Sequence, residues 1–178
     1  MKLYEYTEEK CSFGKYDDDK KASYVITDGD KLVSPWYYIY QNRKILVYVD
    51  QNGPVKIQHL PPSGILIAKR ELGETQSKIQ TWITCPEVNG GIPFSNFNNP
   101  VLGFNAERPA FTVRWTPSVA TYTAEFPQMK VETSLFVPKD KATLCVKTKI
   151  TNKLDKPVNV RVTPTVFPYI NKPQMVAW

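Results

Sequence analysis

The sequence has few of the residues on which common catalytic and metal-binding sites depend. It contains one histidine, His59, and three widely spaced cysteines, Cys11, Cys85 and Cys145. An odd number of cysteines at this spacing fits neither a disulfide framework nor a zinc site, so we expect reduced thiols. A Gly-x-Ser-x-Gly nucleophile motif is absent, and so is a glycine-rich phosphate loop with its lysine. The residues therefore predict no catalytic group, no metal and no cofactor in this chain.

Long apolar runs and charge blocks are also missing. No stretch approaches the ~20 apolar residues of a membrane span, and the first ten residues have no apolar signal core. The formal net charge of +6 comes from lysines and arginines scattered along the chain, not from a basic stripe. We therefore expect a cytoplasmic protein without a membrane or nucleic-acid partner.

Helical periodicity is absent as well, and strand patterns take its place. The chain is rich in β-branched and aromatic residues and contains 15 prolines. The clearest pattern is Ala142–Thr151, where two sets of side chains alternate: Ala142, Leu144, Val146 and Ile150 on one face, and Thr143, Lys147 and Lys149 on the other. A period of two predicts a half-buried strand with the apolar set in the core.

This strand is predicted to be the middle of an antiparallel meander, between Met129–Val137 and Pro157–Phe167. The third strand would place Val158, Val160 and Val162 inside. Similar patterns predict further strands at Ser23–Thr27, Lys44–Val49, Pro54–His59, Gly64–Arg70, Lys78–Thr84, Phe111–Trp115 and Val119–Phe126. The turn Asp50–Pro54 contains Asn-Gly, a strong hairpin signal. About ten strands at this spacing indicate one all-β domain over residues 1–178, an antiparallel β-sandwich.

Two further stretches are candidates for function. Residues 85–100, rich in Pro, Gly and Asn, predict a long ordered loop held by Phe94 and Phe97. A crowded aromatic segment contains Trp36, Tyr37, Tyr38 and Tyr40, with Asn42 and Arg43 after it. Aromatic rings stack on the apolar faces of sugars while amides and guanidinium groups bond the hydroxyls, so this segment is a candidate carbohydrate site. The alternative is that the rings pack in the core of the sandwich.

The order of motifs resembles the N-terminal domain of the inverting disaccharide phosphorylases, such as cellobiose and chitobiose phosphorylase. The matching blocks are Tyr4–Tyr6, Tyr24–Thr27, Pro35–Trp36 with Asn42, Trp115–Pro117, Phe136–Asp140 and Thr151–Pro157. The chain departs from the family where Tyr38, Ile39 and Gln41 replace Asn, Tyr and Gly. It departs again at Asn52–Val55, which stands where the family has Gly-Gly-Gly-Tyr. On residue type, the candidate carbohydrate-binding residues are Trp36, Tyr38, Asn42, Arg43 and Asn52.

The resemblance implies a β-supersandwich of the galactose-mutarotase-like type, joined in the family to an (α/α)₆ barrel. There, inorganic phosphate is a co-substrate that attacks the anomeric carbon, and an Asp on the barrel protonates the leaving oxygen. We therefore expect an N-terminal part of a longer enzyme without its catalytic acid, the sandwich being completed after Trp178. Its implied partners are a disaccharide or oligosaccharide, the helical barrel and a second copy in a homodimer.

Two other readings stay open at this point. One is a free-standing carbohydrate-binding module. The other is a sandwich enzyme such as a sugar mutarotase, whose chemistry resembles a His acid with a Glu base, usually backed by a second His. The single His59 disfavours that reading.

Overall fold

The computed structural model describes residues 14–17, 22–27, 29, 35–61, 64–70, 77–98 and 108–169. Its strands are β1 (Gly14–Tyr16), β2 (Tyr24–Ile26), β3 (Tyr38–Gln41), β4 (Ile45–Asp50), β5 (Gly53–His59), β6 (Leu66–Lys69), β7 (Ile79–Thr84), β8 (Phe94–Ser95), β9 (Ala110–Trp115), β10 (Ala120–Glu125), β11 (Met129–Phe136), β12 (Cys145–Asn152) and β13 (Arg161–Val166). The one described 3-10 helix is Asn89–Gly91. In this part of the chain, no helix has the length and apolar character needed to cross a bilayer.

The larger layer is a six-stranded antiparallel sheet in the order β1-β2-β9-β10-β11-β12. Along β11, buried and half-buried side chains alternate at every position. Leu135 pairs with Val146 of β12 and Val131 pairs with Ile150, so the apolar positions of the two strands share one face. The predicted strand is therefore present, although it begins at Cys145 rather than Ala142. Its predicted core face is only partly covered: Leu144 and Ile150 are half-buried, whereas Ala142 and Val146 are exposed.

The second layer consists of a four-stranded sheet, β3-β4-β5-β6, and a three-stranded sheet, β13-β7-β8. One core cluster lies between the four-stranded and six-stranded sheets, with Val47 and Tyr122 at its centre. A second lies between the three-stranded and six-stranded sheets, with Ile83 and Phe126 fully buried in it. Two layers enclosing apolar cores make this an antiparallel β-sandwich, as predicted.

Polar side chains tie the two layers together across these cores. The Tyr40 hydroxyl donates to the Thr116 carbonyl oxygen at 2.9 Å, and the Tyr122 hydroxyl donates to the Asp50 carbonyl oxygen at 2.7 Å. Burial raises the pKa of both tyrosines above the ordinary value, so both hydroxyls stay protonated and remain donors.

The predicted loop is ordered over its described part, residues 85–98, while residues 99 and 100 lie outside the described ranges. Phe94 and Phe97 are buried, as predicted, and the Phe97 ring meets Tyr122 edge to face with ring centroids 4.9 Å apart. Asn96 is fully buried; its amide donates to Thr133 Oγ1 at 3.0 Å and accepts the Thr81 N–H at 2.7 Å. Residues 94–97 of the loop are therefore buried between the layers, whereas Pro86, Gly90 and Pro93 are exposed.

The Asn-Gly signal marks a hairpin, as predicted. Gly53 pairs with Asp50 where β4 turns into β5, and its φ of 107° lies in the region that favours glycine. A Cβ at this position would lie 2.8 Å from Cγ of Phe97. Glycine is therefore required both by the backbone and by the close approach of the loop.

The predicted third strand of the meander is wrong in its partner and its start. β13 begins at Arg161 and pairs with β7, so it lies in the opposite layer from β12. The eight residues of the connection, 153–160, are enough to cross the ~10 Å between layers. On the way, Val158 and Val160 pack against the second core cluster. The chain therefore crosses to the opposite layer instead of forming another hairpin with β12, because the crossing packs these two valines and gives the edge of β7 a partner strand.

The inner faces of the two strands beside this crossing are left uncovered. Val146 of β12 shares a face with buried Leu135 but is 39% exposed. Val162 and Val166 pair with Ile83 and Ile79 of β7 but are 48% and 59% exposed. Val162 was predicted to lie inside; its strand is at the edge of the layer, where the described residues supply no neighbour to cover it.

Candidate functional site

The described residues form an aromatic pocket with a volume of about 730 Å³. It opens beside β1, β2 and the entry to β3, and its floor is at the end of β9. The lining residues are Tyr16, Ala22, Tyr24, Pro35, Trp36, Tyr37, Tyr38, Trp115 and Pro117. Its volume lies within the ~300–1,000 Å³ of typical small-ligand sites.

The rings of the pocket are inclined to one another rather than stacked flat. The Tyr24 and Trp36 centroids lie 5.6 Å apart with 38° between the planes, and the Tyr38 and Trp115 centroids lie 6.0 Å apart with 36° between the planes. Tyr16 meets Tyr24 edge to face at 5.1 Å. Tyr24, Trp36 and Tyr38 also pack in part against the first core cluster, so the core supports the rings that line the pocket.

Local sequence explains how these rings come together. Tyr24 of β2 pairs with Trp115 of β9, so their side chains are on the same face of the six-stranded sheet. Tyr38 pairs with Val49 at the start of β3. Trp36, just before that strand, is fixed by its backbone N–H, which donates to Oε1 of Gln51 at 3.3 Å. The pocket therefore lies between the layers, at the end where the β4–β5 turn is found.

The five predicted carbohydrate-binding residues separate into two groups. Trp36 and Tyr38 line the pocket. Asn42 and Arg43 lie in the β3–β4 turn, at the opposite end of β4 from Asn52 and from the pocket. A six-residue strand spans about 20 Å, so one small sugar cannot contact both groups. Asn52 is at the pocket's end of β4 but does not line the pocket.

Asn42 holds backbone rather than offering its amide to a ligand. Its Nδ2 donates to the carbonyl oxygens of Pro138 and Lys141, each at 2.7 Å, and its Oδ1 accepts the N–H groups of Lys44 and Ile45 at 2.7 and 3.0 Å. All of its strong hydrogen-bonding positions are therefore used in joining the β3–β4 turn to the loop before β12. Arg43 beside it is exposed.

Four lining residues of the pocket were absent from the candidate site predicted from the sequence. Tyr16, Tyr24, Trp115 and Pro117 were not in the predicted site. A signal was present, because Tyr24 and Trp115–Pro117 belong to the motif blocks noted in the sequence. Spacing along the chain cannot show that strands 90 residues apart are neighbours, which is why these residues were not joined to Trp36.

Next to the pocket's end of β4 is a buried ion pair. Asp50 is fully buried and pairs with the buried Arg70, and it also accepts the Asn52 N–H at 2.7 Å. Burial raises the pKa of Asp50, while the Arg70 guanidinium and the Asn52 N–H act in the opposite direction. This pair joins the last residue of β4 to the residue after β6 and faces away from solvent, so its role is structural.

Other titratable groups are dispersed. His59 ends β5 beside Ile45, at the far end of β4 from the pocket, with Nδ1 2.9 Å from the Leu60 carbonyl oxygen. Within the described ranges, no three His, Cys, Asp or Glu side chains converge on one point. The described thiols, Cys85 and Cys145, are free, and Cys11 lies outside the described residues.

Comparison with known proteins identifies the family. The family model described as "Glycosyl hydrolase 94, supersandwich domain" matches residues 86–175. Those residues include β8 to β13 as well as Trp115 and Pro117 of the pocket. The curated proteins contain no match to the chain. Because the family match covers half of the 178 residues and the fold is an antiparallel sandwich, this chain belongs to the glycosyl hydrolase 94 supersandwich-domain family.

Proposed function

We propose that this chain is the non-catalytic sandwich of a glycoside phosphorylase that acts on disaccharides or oligosaccharides. The observation that carries the proposal is the family match over residues 86–175, joined to the motif order that extends towards the N-terminus. In the whole enzyme an (α/α)₆ barrel would supply the catalytic acid, and inorganic phosphate would be the co-substrate. The sandwich would pack on that barrel, border its sugar cleft and support a dimer in the cytoplasm.

Two surfaces support a role in contacts rather than in chemistry. The uncovered valines of β12 and β13, followed by the exposed Phe167 and Tyr169, form an apolar region that an adjoining domain or a second copy would cover. The aromatic pocket, rimmed by the exposed Tyr16 and Tyr37, is suited to a sugar ring. Trp36 and Tyr38 are the two predicted residues that we retain as sugar contacts.

We expect no phosphorolysis by the isolated chain. Incubation of the pure 178-residue protein with inorganic phosphate and cellobiose or chitobiose should release no sugar 1-phosphate, because the barrel that carries the general acid would be missing. A coupled assay for the sugar phosphate measures this directly. Reproducible turnover that copurifies with the protein would show that the chain has its own active site.

Self-association through the uncovered valines is the second expectation. Static light scattering should give a dimer mass, and Val162→Lys with Val166→Lys should convert it to monomer, because lysines at a desolvated contact oppose association. Thr163→Lys is the matched control, since Thr163 is exposed on the other face of β13. A monomer at high micromolar concentration in the wild type would contradict the dimer. That result would favour a complete, free-standing module.

A free-standing carbohydrate-binding module is the second candidate function. The aromatic pocket favours it, because this feature is contained in the chain and needs no barrel. The coding sequence downstream of Trp178 distinguishes the two: an open reading frame that continues into helical sequence supports the phosphorylase.

A further inference from the structure

The described lining of the aromatic pocket carries no charged side chain. Six of its nine described lining residues are aromatic, and the other three are Ala22, Pro35 and Pro117. Four of the aromatic residues are tyrosines, whose hydroxyls can both donate and accept hydrogen bonds. The lining therefore combines ring faces with polar but neutral groups, which is a surface for a neutral ligand that carries hydroxyls.

The arginine next to Trp115 faces away from the pocket. Arg114 pairs with Val25 while Trp115 pairs with Tyr24, so the guanidinium lies on the other face of the sheet, where it pairs with Asp17. An anion entering the pocket would therefore meet no lysine or arginine among the described lining residues. Desolvating a phosphate dianion against aromatic rings without a cation is costly.

We propose that this pocket binds uncharged pyranose rings of an oligosaccharide and rejects phosphorylated sugars. The sugar class rests on the proposed function above, whereas the selectivity against phosphate follows from the lining. A pyranose places its C–H face on Trp36 or Tyr38, and its hydroxyls bond the tyrosine hydroxyls at the rim. The pocket is thus a holding site for neutral glycan.

A binding experiment on the 178-residue chain tests this. Cellotetraose, diacetylchitobiose, glucose 1-phosphate and a proline-rich decapeptide are each titrated to millimolar concentration, with calorimetry and tryptophan fluorescence as readouts. We expect at least one neutral saccharide to bind and to change the fluorescence, because two of the four tryptophans line the pocket. Glucose 1-phosphate should bind at least tenfold more weakly, a difference of about 1.4 kcal/mol.

Matched variants locate the binding. Trp36→Ala should weaken saccharide binding at least tenfold. Trp82→Ala is the control and should leave binding unchanged, because Trp82 is half-buried on β7 in the three-stranded sheet and does not line the pocket. Tyr16→Ala serves if Trp36→Ala misfolds, because Tyr16 is 67% exposed at the rim; it should weaken binding by a smaller factor.

Three results would overturn the proposal: neither neutral saccharide binds, glucose 1-phosphate binds as tightly as they do, or only the proline-rich peptide binds. Each of these concerns the pocket alone. The phosphorolysis and light-scattering measurements test the proposed function independently, so its failure is distinguishable from failure of the pocket.

Discussion

Arg70→Met is expected to lower the free energy of unfolding by about 3–5 kcal/mol, because it leaves the fully buried carboxylate of Asp50 without its cation. Methionine keeps most of the volume, so the loss would come from charge rather than from a cavity. Urea denaturation followed by circular dichroism measures the change, provided that the slope with denaturant stays constant.

Two further variants isolate the buried charge as the cause. Arg114→Met removes the same kind of ion pair from the surface, where Arg114 pairs with Asp17, and should cost under about 1 kcal/mol. Adding Asp50→Asn to Arg70→Met should recover part of the stability, since the neutral amide can still accept the Asn52 N–H. Equal losses for the two arginine variants would mean that the Asp50–Arg70 pair does not contribute as a buried charge pair.

Tyr122→Ala is the second change with a large expected effect, about 3–5 kcal/mol. The ring is fully buried and contacts Phe97 and Phe111, with ring centroids 4.9 and 6.5 Å away. Its hydroxyl also holds the Asp50 carbonyl of the opposite layer. Thermal and urea unfolding of the purified variant measure the loss.

A graded pair of variants separates packing from hydrogen bonding. Tyr122→Phe keeps the ring but leaves the Asp50 carbonyl oxygen without its donor, and should cost about 1–3 kcal/mol. Tyr48→Ala is the control: Tyr48 is half-buried on β4 with Lys56 Nζ 5.7 Å from its ring, so about 1 kcal/mol is expected. If Tyr122→Phe cost as much as Tyr122→Ala, packing of the ring would contribute little.

Most strands were predictable because alternation depends only on neighbouring residues. The predicted strands Met129–Val137 and Ala142–Thr151 are present as β11 and β12. The apolar set of the second shares a face with buried Leu135, although Val146 in it is 39% exposed. β1, β3 and β8 were missed: they have three, four and two residues, too few to display a clear period. Their pairing with β2, β4 and β7 comes from contacts that local pattern does not encode.

The partner of β13 was mispredicted because alternation is the same whichever strand lies alongside. Val158, Val160 and Val162 alternate as a hairpin strand would, yet the chain crosses to β7 before pairing begins. The crossing is favoured by the packing of Val158 and Val160 against the second core cluster. That contribution depends on contacts between residues far apart in the sequence. The Tyr-rich segment 4–6 and the tail 170–178 lie outside the described residues, so predictions on them remain predictions.

The candidate site was half predictable for a related reason. Aromatic density identified Trp36 and Tyr38, since stacking chemistry depends on residue type. Residue type also suggested Asn42, but its amide is used on four backbone groups. Whether a polar side chain is free for a ligand depends on these long-range partners, which the sequence does not contain.

The crossing from β12 to β13 also has a consequence during synthesis on the ribosome. β10 and β11 are joined by a short turn and can pair as soon as they emerge, whereas Val162 meets Ile83 some 80 positions after β7 was made. Until then the only described neighbour of β7 is the two-residue β8, and an open apolar edge invites pairing with other chains. We therefore expect pairing of residues 161–166 with β7 to reduce aggregation of the nascent domain, and a shortened gene ending after β12 should give a more aggregation-prone product.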